Sequence, residues 1–425
     1  MNKIVIEKLD ECVYQETLEN GLNVLIYKKE GYNEKGAFFV TKYGSATNDF
    51  IPINEKEYVS FPKGIAHFLE HKLFESEEQE KIFDIYNKYG ADVNAYTNHD
   101  ITNYYFSCIN NFDECLITLL DFVQTPYFTD ENVEKEKGII NEEINMTNDD
   151  IDRFMYEELY NVSLCVNENK YKTIGDKENV NKITKEDLYR CYNTFYNPSN
   201  MVLAIYGDID IENTLRIIKD NQRKKKFGKL EKIDIKEKEE PEKVYCEYKE
   251  YNKKVAVPKV GVCYKIKVDS KFDINRYKYH LFINMMLESK FGGTSSFEKD
   301  LLKKKIIEDS IDYSFSSFDD VILIFIETAT NKKDEYLKIL DKHIKENKFD
   351  EKIFELNKRS FLSFFIKAFE TPGAACTIMF NHYLKYNMVI NNIYEICNSY
   401  TYKKFIKDYQ RLNLNNKSVI YIKNK

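Results

Sequence analysis

The 425-residue sequence has no tryptophan, only six histidines and no C-x-x-C pair. The missing tryptophan, beside abundant Lys, Asn, Ile and Tyr, reads as a compositional bias of the genome and carries no functional meaning. Nine cysteines, at positions 12, 108, 115, 165, 191, 246, 263, 376 and 397, imply neither a zinc knuckle nor a disulfide framework. Cys108 and Cys263 lie in apolar stretches and read as small core residues, which suits a reducing compartment. No apolar run approaches the ~20 residues that span a bilayer. Val321 to Ile326, the most apolar strand-like run, is far too short. The N-terminal Met1-Asn2-Lys3-Ile4-Val5-Ile6-Glu7 meets charge too soon for a secretory signal, so a cytoplasmic protein without a membrane partner is expected. Nor is there a basic excess: the formal net charge of −7 argues against a nucleic-acid partner, which would need a basic face.

Against this ordinary background one stretch stands out, Gly64-Ile65-Ala66-His67-Phe68-Leu69-Glu70-His71-Lys72-Leu73-Phe74. Ile65, Phe68, Leu69 and Leu73 recur at helical spacing and predict an amphipathic helix. His67 and His71, at i and i+4, then lie one turn apart on one face, where both imidazoles can grip one metal ion. A catalytic Zn²⁺ needs a third protein ligand and an open position for water, whose proton a neighbouring carboxylate, here Glu70, can take. This is the inverzincin order H-x-x-E-H.

Around it the chain reads as α+β. Residues 14–28 predict two strands around Asn20-Gly21, and Ala37 to Val40 a third. A second helix is expected from about Gln79 to Tyr89, stopped by Gly90. Ala91 to Thr97 and Thr102 to Ile109 predict a hairpin about Asn98-His99-Asp100. Helices follow at about 112–123 and 130–147, the second capped at Thr129-Asp130. On that second helix Glu136 and Glu143, seven apart, share a face. Most of its charges read as a solvated surface, but Ile139 and Ile140 show that part faces a core, where a carboxylate needs a partner such as a metal. Spacing alone leaves Glu142 and Glu143 open as the ligand.

Thr184 to Tyr206 reads as a capped helix, a turn and a strand, and Thr401 to Tyr421 repeats the pattern. A repeat about 217 residues on implies a duplicated domain. The expected division is 1–222, a charged solvated linker 223–242 without a binding role, and 243–425. In the second copy the helix Asn275 to Lys290 carries Tyr279-His280-Leu281-Phe282 where the first carries its motif, so His280 is expected to be structural.

These residues resemble the pitrilysin/insulinase family of zinc metallopeptidases, most of all short bacterial relatives of the mitochondrial processing peptidase β subunit. The likeness rests on H-x-x-E-H, on E-x6-E at Glu136 and Glu143 some seventy residues later, on Asn94-Ala95-Tyr96-Thr97, and on Glu134-Lys135-Glu136-Lys137-Gly138. Thr41 to Ser45 and His71 to Glu75 are similar to a bacterial branch associated with aminopentanol modification of elongation factor P. The resemblance implies two tandem homologous αβ-roll domains, antiparallel sheets flanked by helices, forming half of a clamshell. It implies one Zn²⁺ per chain on His67, His71 and Glu143, with Glu70 as general base and Glu136 behind the ligands, tuning them. Asn94, Ala95 and Tyr96 would lie on an edge strand to which a peptide substrate adds as a further strand.

One feature departs from the family. Its active members hold substrate with an Arg and a Tyr seven residues apart, and the matching segment here, Leu301 to Asp309, has no such pair. The resemblance then implies either a partner, a zinc-less paralogue supplying Arg and Tyr in a heterodimer or otherwise a homodimer, or a non-proteolytic or nearly inactive, zinc-retaining partner or assembly subunit.

Overall fold

The computed structural model describes residues 1–77, 81–228, 232–269 and 271–425. It contains two compact units. The first unit takes residues 1–146, 171–237 and 366–391; the second takes 147–170, 238–365 and 392–425.

In the first unit the strands are β1 (Asn2–Ile6), β2 (Glu11–Thr17), β3 (Asn23–Lys28), β4 (Lys35–Thr41), the short pair β5 (Asp49–Phe50) and β6 (Val59–Ser60), β7 (Asp92–Thr97), β8 (Thr102–Cys108) and β9 (Met201–Gly207). Seven of them form one sheet in the order β1-β2-β3-β9-β4-β8-β7. All neighbours are antiparallel except β3 and β9. The second unit has β10 (Tyr248–Lys253), β11 (Lys259–Lys267), β12 (Asp312–Phe318), β13 (Val321–Ala329) and β14 (Lys417–Asn424), in the order β10-β14-β11-β13-β12. Here too one pair, β10 with β14, is parallel and the rest are antiparallel. The order β3-β9-β4-β8-β7 is thus repeated strand for strand, which makes the duplication visible as topology. Both αβ domains are present, and β7 and β12 are corresponding edge strands.

Helices cover these sheets. In the first unit α1 (Ile65–Lys72), α2 (Ile82–Tyr89), α3 (Phe112–Val123) and the part of α4 (Asp130–Asp149) up to Met146 join one large core. The expected start of α2 near Gln79 lies outside the described residues. Thr129 caps α4 as expected, its Oγ1 accepting from Asn132 N at 3.1 Å. Thr184 and Asp187 form a full capping box on the helix Lys185–Phe195.

The compact units follow packing, not chain order. The helix Pro372–Tyr386, late in the chain, packs on β9 and β3, with Phe380 5.3 Å from Phe38 in ring centroids. In the second unit α5 (Ile151–Ser163), early in the chain, packs on β11 and β14. Gly261 on β11 permits this, because a Cβ there would lie 2.7 Å from Met155 Sδ.

The linker is a correction. Expected to be solvated throughout, 223–242 is in part built into the fold, with residues 229–231 outside the described set. Glu240 is only 2% exposed. Its carboxylate accepts from Lys265 Nζ at 2.6 Å and from the main-chain amides of Cys165, Val166 and Asn167 at 2.6, 2.9 and 2.7 Å. Burial alone would push this carboxyl up, but those donors hold it below its ordinary value. Four donors are what make a buried carboxylate tolerable. No charge count along the chain reveals partners so distant.

Candidate metal centre and active site

The site starts at a glycine. Gly64, at φ +88°, lies immediately before α1, where a Cβ would come within 2.4 Å of the Ile174 carbonyl oxygen. From there α1 buries Ile65, Phe68 and Leu69 completely and keeps His67 and His71 partly accessible. Helix α4 follows the same logic with Val133, Ile140 and Ile144 in the core and Glu143 on the shoulder of the buried face. Lys72, fully buried, ties the two helices together by donating to the Asn132 carbonyl at 3.2 Å.

The two imidazoles have ring centroids 4.6 Å apart. His67 Nε2 lies 3.7 Å from Glu143 Oε1, and His71 Nε2 lies 3.6 Å from Glu143 Oε2. One donor atom from each residue falls within a set spanning at most 4.8 Å. Glu142 is exposed and meets Asn145, so Glu143 is the carboxylate that converges with the histidines. Separations of 3.6–3.7 Å are longer than a normal hydrogen bond. They are close to the ~3.4 Å between neighbouring ligands of a tetrahedral ion with bonds of ~2.0–2.2 Å, so the donor set fits zinc.

Glu136, 7% exposed, accepts from His71 Nδ1–H at 2.9 Å. That bond assigns the proton to Nδ1 and leaves the Nε2 lone pair directed at the centre, the usual role of an outer carboxylate. For His71, burial opposes the charged form, but the Glu136 bond and the charges of Glu70, Glu136 and Glu143 outweigh it and raise its pKa. Glu70 is 8% exposed, and its Oε2 accepts from Thr97 Oγ1 at 2.7 Å. Burial pushes its carboxyl above the ordinary value; Thr97 and His71 pull it back, and Glu143 adds to the rise. A buried carboxyl with a raised pKa, beside a cluster that could hold a metal, is a candidate for proton transfer.

His67, Glu70, His71, Glu136 and Glu143 are therefore brought together. The strand residues divide. β7 is an edge strand of the sheet among the described residues, and its exposure alternates, with Asp92, Asn94 and Tyr96 exposed and Val93, Ala95 and Thr97 half-buried. Ala95 shares the face of Thr97, which touches Glu70. Asn94 and Tyr96 point to the other face, where the Tyr96 ring lies 6.3 Å from that of Tyr105. Asn94 Oδ1 accepts from the Ala95 main-chain N–H at 2.8 Å. Thr97 is the member that sequence reading gave no role. Its signal is the two-residue strand period that places it on the face of Ala95.

A two-domain sheet-and-helix fold with H-x-x-E-H on one helix and the third carboxylate on another defines a zinc-protease class. The chain belongs to the insulinase/pitrilysin family, peptidase family M16, as a short bacterial form related to the mitochondrial processing peptidase β subunit. Residues 54–177 match the family description "Insulinase (Peptidase family M16)", and residues 182–361 match "Peptidase M16 inactive domain". The chain is 41% identical over 321 residues, 74% of its length and 73% of the other, to the uncharacterized zinc protease YmfH of Bacillus subtilis. It is 30% identical over 175 residues, 39% of this chain and 31% of the other, to a probable mitochondrial-processing peptidase β subunit of Arabidopsis thaliana. A crystal structure of an M16-like peptidase from Alicyclobacillus acidocaldarius superposes with a TM-score of 0.93 at 30% identity, covering 99% of this chain and 100% of that one.

Proposed function

We propose that the protein is a zinc-dependent endopeptidase that hydrolyses extended peptides. The convergence of His67, His71 and Glu143 beside the buried Glu70 carries this reading. Zinc, when bound, supplies a Lewis acid that polarises a scissile carbonyl and acidifies water. Everything else belongs to the chain. His67 and His71 supply neutral nitrogens and Glu143 an anionic oxygen, while Glu136 keeps His71 in the tautomer that can coordinate. Glu70 accepts the proton of the attacking water and returns it to the amine that leaves, so that one peptide bond is exchanged for an acid and an amine. The peptide lies along the edge strand β7, pairing through main-chain groups. Ala95 stands opposite Tyr104 in that hairpin, at a position whose main-chain N–H and C=O point away from β8, and a peptide pairing there would take the N–H over from Asn94 Oδ1.

The substrate would be enclosed in a chamber made with a partner, a zinc-less paralogue contributing an Arg/Tyr pair or a second copy of this chain. Nine free cysteines support action in the cytoplasm. No helix among the described residues is long and apolar enough to cross a membrane.

Hydrolysis of a quenched fluorescent peptide library by wild type and Glu70→Gln, each alone and mixed with such a paralogue, tests the proposal. Cleavage is expected from wild type only, with zinc retained by both proteins. Zinc without Glu70-dependent cleavage in any combination would instead favour a zinc-retaining assembly subunit, including one associated with elongation factor P modification.

A further inference from the structure

β7 and β8 end at the same turn, and the last residue of one stands opposite the first of the other. Thr97 faces Thr102 across the ladder. The Asn98 amide bonds the Ile101 carbonyl at 2.9 Å, so the next pair outward is of the kind whose main-chain groups do not bond each other. Side chains at such pairs approach closely, and the two hydroxyl oxygens are 3.2 Å apart. Thr102 is fully buried and donates to the Tyr43 carbonyl at 2.9 Å. Thr97 donates to Glu70 Oε2 at 2.7 Å.

A threonine hydroxyl has one proton to give and two lone pairs to offer. Thr102 spends its proton on Tyr43 and therefore meets Thr97 only as an acceptor. Thr97 has one proton and two candidate acceptors, Thr102 Oγ1 and the carboxylate, and the ionised oxygen is the stronger. The oxygens of a carboxylate are otherwise equivalent and exchange by rotation about one bond. Here the Thr97 hydroxyl engages Oε2, and the Thr97 main-chain N–H adds a lesser hold on the same carboxylate. The distinction survives proton transfer: once Oε1 carries the water's proton, Oε2 is the carbonyl oxygen of an acid and still accepts from Thr97.

We propose that Thr97, buttressed by Thr102 and Tyr43, is a positioning residue that holds Glu70 by Oε2 and so makes Oε1 the oxygen that takes and returns the proton. This rests on the peptidase reading above. The threonines keep their own protons throughout; the transferred proton passes from water to Oε1 and from Oε1 to the leaving amine.

The test compares wild type, Thr97→Val, Thr97→Ser and Thr102→Val as zinc-loaded full-length proteins, with Glu70→Gln as the control for the underlying reading. For Thr97→Val the expected result is a fall in kcat of about 10- to 100-fold, the usual scale for losing an outer hydrogen-bond partner, with KM and zinc content unchanged. Thr97→Ser restores the hydroxyl and is expected to restore kcat, with Thr102→Val intermediate. Crystal structures would show the Glu70 carboxylate rotated in Thr97→Val and in place in Thr97→Ser. Wild-type kcat in Thr97→Val, an equal loss in Thr97→Ser, or zinc loss accompanying the fall would each overturn the inference while leaving the peptidase intact. Absence of any Glu70-dependent hydrolysis in wild type would overturn both.

Discussion

The two copies of the domain place a long-range polar contact at the same point of the fold and put different chemistry there. In the first, Glu70 on α1 meets Thr97 on the edge strand β7. In the second, the helix Ile274–Phe291 meets the corresponding edge strand β12 through His280 Nε2 and Ser317 Oγ, 2.9 Å apart. Arg276 on that helix donates to the same hydroxyl at 2.7 Å. Its guanidinium, always charged and without an acceptor lone pair, is no metal donor. The helix-to-edge-strand contact thus recurs in both copies, and among the described residues only the first adds two histidines and a carboxylate placed so that they could hold a metal. His280 is structural in this arrangement, as its lack of a motif implied.

The largest expected effect tests the chemistry side of that contrast. Glu70→Gln should lower kcat by about 100- to 10,000-fold, the range for losing a general base, with zinc retained. Next is the structural side: Lys265→Met in the second unit leaves Glu240 buried without its ammonium partner. Urea unfolding should show a loss of about 3–5 kcal/mol with the zinc content of the folded protein unchanged. Glu136→Gln replaces the acceptor of His71 Nδ1–H and should weaken zinc binding about 10- to 100-fold in chelator competition.

Titration supplies a smaller effect in the second unit. Burial, then the charges of Asp152 and Asp312, raise the Glu327 carboxyl from 4.5 to about 7, with Lys259 opposing. The folded state therefore holds a proton that the unfolded chain has released, and stability falls as pH rises from 4.5 to about 7. Glu327→Gln should stabilise the protein at pH 8 by about 2–3 kcal/mol and leave it unchanged at pH 4, read as the difference in thermal unfolding. Last, His280→Ala should leave zinc content unaltered.

Much of the first copy was legible because its signals are local. The i and i+4 histidines, the apolar stripe of α1, the Asn98 turn and the Thr129 and Thr184 caps each act within a few residues of themselves. What stayed hidden depends on distant partners. β1 shows only weak alternation, since most of Asn2–Ile6 is accessible and it is a strand by virtue of pairing with β2. Glu240 looks like any carboxylate in a charged run until Lys265 and three amides surround it. Thr97 is an ordinary strand threonine until the sheet carries it to Glu70. The strand period could say which face Thr97 shares, but not what lies across from that face. Glu142 and Glu143, inseparable by spacing, are separated by the helix rotation that turns only Glu143 toward His67 and His71.

That last distinction gives the most direct measurement: zinc per chain in purified wild type, Glu142→Gln and Glu143→Gln, by elemental analysis after dialysis against a weak chelator. One zinc in wild type and Glu142→Gln, and none in Glu143→Gln, is the predicted result. Zinc retained by Glu143→Gln, or absent from wild type, would contradict a centre built from His67, His71 and Glu143.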